Sequence, residues 1–161
     1  DGLKAKQACE CKVVTQSLEK IIETNILLSG LGFESGGLAA AHAVANGLTI
    51  LEGTHKYFHG EKVAFGTLTQ LVLENSPMEE IEEVLSFCLS VGLPVCLKDI
   101  GSSVEELTKN NNALLNQVSE KACIPDESIH AMPFPVTADM VAAAILAADK
   151  LGSTAKEECC C

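Results

Sequence analysis

The amino-acid sequence predicts an all-α fold, a bundle of about six helices joined by short loops. Apolar residues recur at helical spacing through most of the 161 residues, and no stretch of four to eight residues shows clean strand alternation. Aromatic residues make up only 4% of the chain and Trp is missing, so the core must be built from Leu, Val, Ile and Ala. Because small side chains let helices approach closely, this composition also favours helical packing.

Two helices are predicted in the first part of the chain. The apolar positions of residues 14–28 follow helical spacing, and Gly30 and Gly32 are expected to end this helix. A second helix is predicted over residues 35–46, with Gly47 marking its end. Its residues are apolar almost all round, which indicates a buried helix.

The middle of the chain predicts two further helices separated by a break. One begins just after Gly60 and ends before Pro77. The next covers residues 78–92 and carries acidic residues in its first turn, where the helix dipole favours negative charge. Gly92 and Pro94 are expected to end it.

The last part of the chain predicts two more helices on either side of a proline-rich loop. Ser103 and Glu106 have the spacing of a capping box, and an Asn-rich helix is expected to follow over residues 110–123. Thr137 is expected to cap a final helix over residues 138–151.

Length and charge limit the classes of protein that the chain can represent. Its 161 residues predict one helical domain, residues 1–161. A formal net charge of −11 repels a phosphate backbone and so argues against nucleic acid as a partner, and no apolar run approaches the length of a membrane span. No secretory signal pattern opens the sequence, so a cytoplasmic location is predicted. The first residue is Asp1, which suggests a processed or excised piece.

Cysteine usage favours free thiols in a reducing compartment, because the predicted core needs no disulfide staples. Cys9 and Cys11 together with a terminal triplet leave open a minor alternative, a thiol-based metal or redox protein, although their spacing matches no standard zinc framework. The eight cysteines are Cys9, Cys11, Cys88, Cys96, Cys123, Cys159, Cys160 and Cys161.

The segment GLGFESGGLAAAHAVANG, residues 30–47, is glycine-rich but does not predict a nucleotide-binding loop. A dinucleotide fingerprint needs G-x-G-x-x-G between a strand and a helix. Here Gly30, Gly32 and Gly36 give G-x-G-x-x-x-G, and a helix precedes them. We therefore interpret the glycines as a helix end followed by a tightly packed helix start.

Two histidines are candidates for a metal site. His42 lies on the apolar second helix and His59 at the start of the third, so adjacent antiparallel helices could bring both imidazoles to one point. Two neutral imidazoles suit zinc or ferrous iron. The alternative is that the two are unrelated, with His42 hydrogen-bonded in the core and His59 capping its helix. His55 and His130 are expected to be solvated or locally bonded.

Glu61 and Lys62 adjoin the second of these histidines. They could support a metal ligand through hydrogen bonds, or they could serve only the start of the helix. No motif for a catalytic nucleophile is present, so no catalytic residue is assigned.

The strings GFESGGLAAAHAVANGLT and HGEKVAFGTLTQLVLEN closely resemble the C-terminal helical domain of bacterial-type glycerol dehydrogenases, in the iron-containing (group III) alcohol dehydrogenase superfamily. The resemblance extends over about residues 13–151 and implies a dehydroquinate synthase-like helical fold. It implies a divalent metal held by one Asp and two His, with zinc favoured over ferrous iron. NAD is expected to bind an N-terminal domain that this chain lacks.

By match of motif, His42 and His59 correspond to the two histidine ligands of the family, and Phe33 resembles a residue lining its glycerol pocket. No Asp of this chain matches the third ligand. Ala45 and Lys56 stand where many relatives carry further histidines, which puts efficient proton relay in doubt.

Two functions remain open on the sequence. The first is the metal-binding half of an NAD-dependent glycerol dehydrogenase that oxidises glycerol or a similar small diol, with the chain inactive alone. The second is a non-catalytic helical module derived from this family and used for assembly. In either case a homo-oligomer, or a partner covering the exposed cleft face, is expected.

Overall fold

A computed structural model describes residues 2–159, the last of them by its backbone only. All its regular structure over these residues is helical, with seven α-helices and three single turns of 3₁₀ helix, which confirms the all-α prediction. The α-helices are α1 Gly2–Glu10, α2 Gln16–Gly36, α3 Ala40–Leu48, α4 His59–Leu73, α5 Met78–Val91, α6 Val104–Ala122 and α7 Ala138–Cys159. No helix in this range is both long and apolar enough to cross a lipid bilayer.

The chain forms two compact units, Asp1–Gly37 and Leu38–Cys161. In the first unit α1 packs against α2, and Ala5 and Ala8 of α1 are buried. Thr15 caps α2 by accepting the Leu18 N–H at 3.3 Å. None of the 21 residues of α2 is buried.

Two sequence predictions about this region are wrong, and one helix was missed. Gly30 and Gly32 do not end the helix, since α2 continues to Gly36 and is closed by Gly37, whose φ is 69° and whose N–H donates to the Phe33 carbonyl. A glycine inside a helix is only about 1 kcal/mol less favourable than alanine, so the helix can continue past it when the neighbouring residues favour helix. The next helix therefore begins at Ala40 rather than at residue 35. The short α1 was not predicted.

The second unit is built around α3, which is buried as predicted. It packs against α4 and α6, both of which also contact α7, and α5 covers α4 and α7. The buried apolar side chains of the unit form one core. Its largest fully buried members are Phe65, Leu48, Leu68, Leu97, Ile100, Leu107, Leu115, Ile129 and Ile145.

Capping predictions for the last helices are mostly confirmed. Ser103 accepts the Glu106 N–H at 3.2 Å, but the Glu106 carboxylate accepts from the Ser102 hydroxyl instead of closing the box. Thr137 accepts the Met140 N–H at 3.3 Å. The Asn-rich helix is interrupted: residues 109–112 leave helical geometry, with positive φ at all three asparagines, a conformation that Asn tolerates better than most residues.

Asp149 joins α7 to the 3₁₀ turn Leu97–Ile100 by accepting the Leu97 N–H at 2.8 Å. Burial raises the pKa of this carboxyl above its ordinary value, with smaller contributions from the charges of Glu105 and Asp99. A raised pKa means that the folded chain binds its proton more tightly than the unfolded chain. Asp149 therefore costs stability as pH rises from the ordinary aspartate pKa of about 3.9 through the raised value.

We expect Asp149→Asn to raise the urea midpoint at pH 7, because the amide oxygen can keep the Leu97 hydrogen bond without a half-buried charge. The gain should shrink as pH falls below the raised pKa, where the wild-type carboxyl is already neutral. Urea unfolding of the wild-type chain and the variant at several pH values measures this pH-dependent gain, with Asp126→Asn in an exposed loop as the control. A midpoint difference that does not change with pH would contradict this account.

Candidate metal site

The two histidines singled out in the sequence face each other in the second unit. His42 lies in the first turn of α3, and His59 is the first residue of α4. Their ring centroids are 5.4 Å apart and the ring planes are inclined by 45°. Packing of α3 against α4 therefore brings together two imidazoles that are separated by 17 positions in the sequence (59 − 42).

The electrostatics at His42 favour its neutral ring. Burial lowers the pKa of His42 below its ordinary value, and the neighbouring His59 lowers it further. A neutral imidazole keeps a lone pair on one ring nitrogen, which is the form that binds a metal ion. His42 is partly buried and His59 is exposed, and neither ring has a hydrogen-bond partner among residues 2–158.

The other two histidines are locally bonded, as predicted. His55 lies 2.9 Å from the carbonyl oxygen of Thr49 through Nε2. His130 makes the same contact with the carbonyl oxygen of Ile124 at 3.0 Å. A carbonyl oxygen only accepts, so each Nε2 carries the hydrogen and donates. These two rings differ from those of His42 and His59, whose nitrogens make no hydrogen bond to a backbone carbonyl among the described residues.

Glu61 serves the start of α4 rather than the histidine ring. Its Oε2 accepts the Phe58 N–H at 2.6 Å, one residue before His59. A glutamate that reaches back to the residue preceding a helix satisfies a donor that the helix cannot. The helix-start interpretation is therefore the one that the contacts of Glu61 support.

Lys62 is buried, and it ties the preceding loop to α4. Its Nζ donates to the Tyr57 carbonyl at 2.8 Å and to the Thr54 carbonyl at 3.4 Å. The buried Thr54 hydroxyl in turn contacts the carbonyl oxygens of Leu48 and Leu51, at 3.0 and 2.8 Å. This network connects the end of α3 to the start of α4, so Lys62 shapes the segment that leads to His59.

The donor set fits two ligands of a divalent metal ion. Two imidazoles without hydrogen-bond partners among the described residues converge from different helices, and the pKa of one of them, His42, is lowered by burial and by His59. This arrangement suits zinc. Among the described residues, no group of three or more His, Cys, Asp or Glu side chains could hold a metal ion. The described residues therefore offer two imidazoles at this point and no third such side chain.

Phe33 lies on α2, in the other compact unit from the two histidines, and its side chain is 60% exposed. Its role in binding substrate stays a prediction.

Phe58, which the sequence analysis did not single out, precedes His59 directly and is 82% exposed. An exposed aromatic ring beside a candidate metal ligand can form an apolar wall for a small substrate. The string FHGEK was the sequence signal that could have pointed to Phe58.

The cysteines described are free, as predicted. Cys9 and Cys11 are exposed, whereas Cys88 and Cys96 are buried and Cys123 is half-buried. Burial raises the pKa of the Cys88 and Cys123 thiols, which makes them poor nucleophiles. The terminal triplet lies outside the described residues, since Cys160, Cys161 and the side chain of Cys159 are not described.

Comparison with known proteins supports the helical fold. The chain is 55% identical over 152 residues to a glycerol dehydrogenase from Citrobacter freundii, covering 94% of this chain and 40% of that protein. It is 56% identical over 155 residues to a glycerol dehydrogenase from Thermotoga maritima, covering 96% and 41%. The crystal structure of a probable glycerol dehydrogenase from Sinorhizobium meliloti matches with a TM-score of 0.86 at 49% identity, covering 95% and 42%. No protein-family model matches the sequence.

These relationships confirm the resemblance noted in the sequence: the chain corresponds to a helical region of dehydrogenases. Those dehydrogenases are glycerol dehydrogenases, and the chain spans about two fifths of the length of the relatives it matches.

Proposed function

We propose that this chain is the metal-binding part of an NAD-dependent glycerol dehydrogenase, and that it is inactive alone. The observation that carries the proposal is the pair of unpaired imidazoles, His42 and His59, with ring centroids 5.4 Å apart on neighbouring helices. Identity of 55–56% to two glycerol dehydrogenases supports glycerol, or a similar small diol, as the substrate.

In this proposal His42 and His59 are two of three protein ligands of a zinc ion. A bound divalent metal supplies Lewis-acid activation of a substrate hydroxyl. Burial, and next to it the neighbouring His59, lower the pKa of His42, which favours the neutral ring that can bind a metal ion. The exposed Phe58 borders the substrate beside His59. The substrate-binding role of Phe33 stays a prediction from the resemblance to the family. The third ligand and the NAD site come from the part of a dehydrogenase that has no counterpart in this sequence.

Association is the second part of the proposal. Ile22, Ile26, Leu27 and Leu31 form an apolar face on α2, which we call the α2 face, and each is 50–74% exposed. A helix with such a face is normally covered, since monomeric proteins rarely expose contiguous apolar surface of this kind. We propose that the remaining three fifths of a full-length dehydrogenase covers it, or that a second copy does so when this chain is alone.

The alternative function is a non-catalytic helical module that assembles with another protein. It is favoured by one observation, the missing third ligand within the described residues. Tight zinc binding that depends on both His42 and His59 would argue against this alternative.

Metal binding tests the proposal directly. We expect the chain to bind cobalt(II), a spectroscopic substitute for zinc, and His42→Ala and His59→Ala each to weaken binding by about tenfold or more, because each removes one of two protein ligands. Titration followed by visible absorption measures this. His130→Ala is the matched control, since that ring is exposed and donates to a carbonyl. Equal affinity in all four proteins would overturn the proposed site.

Activity gives a second test. The chain alone should not reduce NAD with glycerol, whereas mixing it with the N-terminal region of the Thermotoga maritima relative and zinc should produce NADH. A mixture with His59→Ala should produce none. Failure of the wild-type mixture, despite formation of a complex, would favour the module instead.

A further inference from the structure

We propose that Gln70 is a positioning residue for His42, holding the first turn of α3 in the place where the imidazole can serve as a metal ligand. This inference rests on the proposed function. Gln70 lies in α4, far along the helix from His59, and nothing in its sequence context marks it as functional.

The first turn of α3 has no cap of its own. Ala39 precedes the helix and makes no side-chain capping bond. The first N–H groups of a helix have no partner inside it, so they need one from elsewhere. Gln70 provides it from the neighbouring helix, because its Oε1 accepts the Ala41 N–H at 2.9 Å. Ala41 directly precedes His42, so this bond fixes the turn that carries the ring.

The amide of Gln70 is itself oriented. Its Nε2 donates to Oε1 of Glu74 at 2.7 Å, one turn further along α4. A carboxylate only accepts, so it selects the amide nitrogen and leaves the amide oxygen for Ala41. The two bonds therefore form a directed chain from Glu74 through Gln70 to the backbone of α3.

A second contact meets the same residue of α3. A Cβ added at Gly66 would lie 2.2 Å from the Ala41 carbonyl oxygen, so only glycine lets α4 approach the backbone this closely. The Ala41 carbonyl and the His42 N–H belong to one peptide plane. Gly66 and Gln70 are one turn apart, so α4 approaches the Ala41 carbonyl closely at Gly66 and accepts the Ala41 N–H at Gln70.

The consequence is that one helix sets the positions of both histidines. His59 begins α4, and the same helix fixes the backbone at His42 through Gly66 and Gln70. Ligands that must meet at one ion need supporting contacts of this kind, and loss of such support typically weakens metal binding by about 10–100-fold.

The test compares Gln70→Met, which keeps the side-chain length but removes the strong acceptor, with the wild-type chain. We expect cobalt(II) to bind the variant about tenfold more weakly, with a shifted visible absorption spectrum. In the metal-free chain, the Ala41 amide should lose protection from hydrogen exchange. Gln117→Met on the exposed side of α6 is the matched control and should change neither quantity.

A rescue variant separates positioning from a general loss of stability. Q70E combined with E74Q reverses the donor and acceptor of the pair while keeping an oxygen for the Ala41 N–H, and it should recover most of the cobalt affinity. Wild-type affinity and spectrum in Q70M, or no recovery in the double variant, would overturn the role of Gln70 alone. A wild-type chain that binds no cobalt would overturn the proposed function, and this inference with it.

Discussion

Phe65→Ala should lower the free energy of unfolding by about 3–5 kcal/mol, the usual cost of truncating a buried phenylalanine. Phe65 is fully buried in α4, and α4 contacts α3, α5 and α7. Removal of the ring leaves a cavity that these helices can close only in part, so the loss includes both transfer energy and cavity energy. Since small proteins are stable by only about 5–15 kcal/mol, much of the total would be lost.

Chemical denaturation followed by circular dichroism measures this loss. Phe87→Ala is the matched control, because Phe87 lies on α5 with 56% of its side chain exposed. Surface substitutions usually change stability by less than about 0.5 kcal/mol. If the two variants unfolded at similar denaturant concentrations, Phe65 would not occupy the core as described.

Gly152→Ala should also be strongly destabilising, although alanine is normally the better helix former. A Cβ at this position of α7 would lie 1.8 Å from the Val95 carbonyl oxygen and 2.6 Å from its carbonyl carbon. These are backbone atoms, so α7 and the segment before the Leu97–Ile100 turn would have to separate. Overpacking of this kind costs about 1–3 kcal/mol and occasionally more, and contact with rigid backbone places this position at the upper end.

The predicted change in stability for Gly152→Ala has the opposite sign to the change that glycine-to-alanine substitutions usually cause inside helices. Glycine inside a helix is normally worse than alanine by about 0.5–1 kcal/mol, so an unobstructed site should gain from the change. Gly60, in the first turn of α4, has nothing within 4 Å of an added Cβ and provides that comparison. Thermal unfolding of Gly152→Ala and Gly60→Ala should therefore move in opposite directions, and a stabilised Gly152→Ala would refute the close approach.

The sequence predicted most of the fold because several signals are local. Gly92 ends α5 with a φ of 79°, and Thr137 caps α7 as expected. Apolar character all round α3 correctly indicated burial. The end of α2 was wrong, because a glycine permits a helix to end without requiring it. The interruption at residues 109–112 was missed, since the left-handed preference of Asn is weak at any single position.

The candidate site was predictable only in part. The motifs AAAHA and FHGEK pointed to His42 and His59, and the structure brings these two rings together. The supporting residues were not predictable, because Gln70 and Lys62 act on the backbone of residues that are 29 and 5–8 positions away. Such contacts depend on the angle and spacing of α3 and α4, which a one-dimensional pattern does not contain.

If the proposed metal site forms, the contact between His42 and His59 would link cation concentration to folding. The two rings adjoin only when α3 and α4 have docked, so an ion held between them binds the native state and not the denatured ensemble. By mass action such a ligand adds about 2.7 kcal/mol at a free concentration one hundred times its dissociation constant. The metal ion would thus also stabilise the docking of α3 against α4. A chelator that removes the ion would lower the melting temperature of the metal-bound chain.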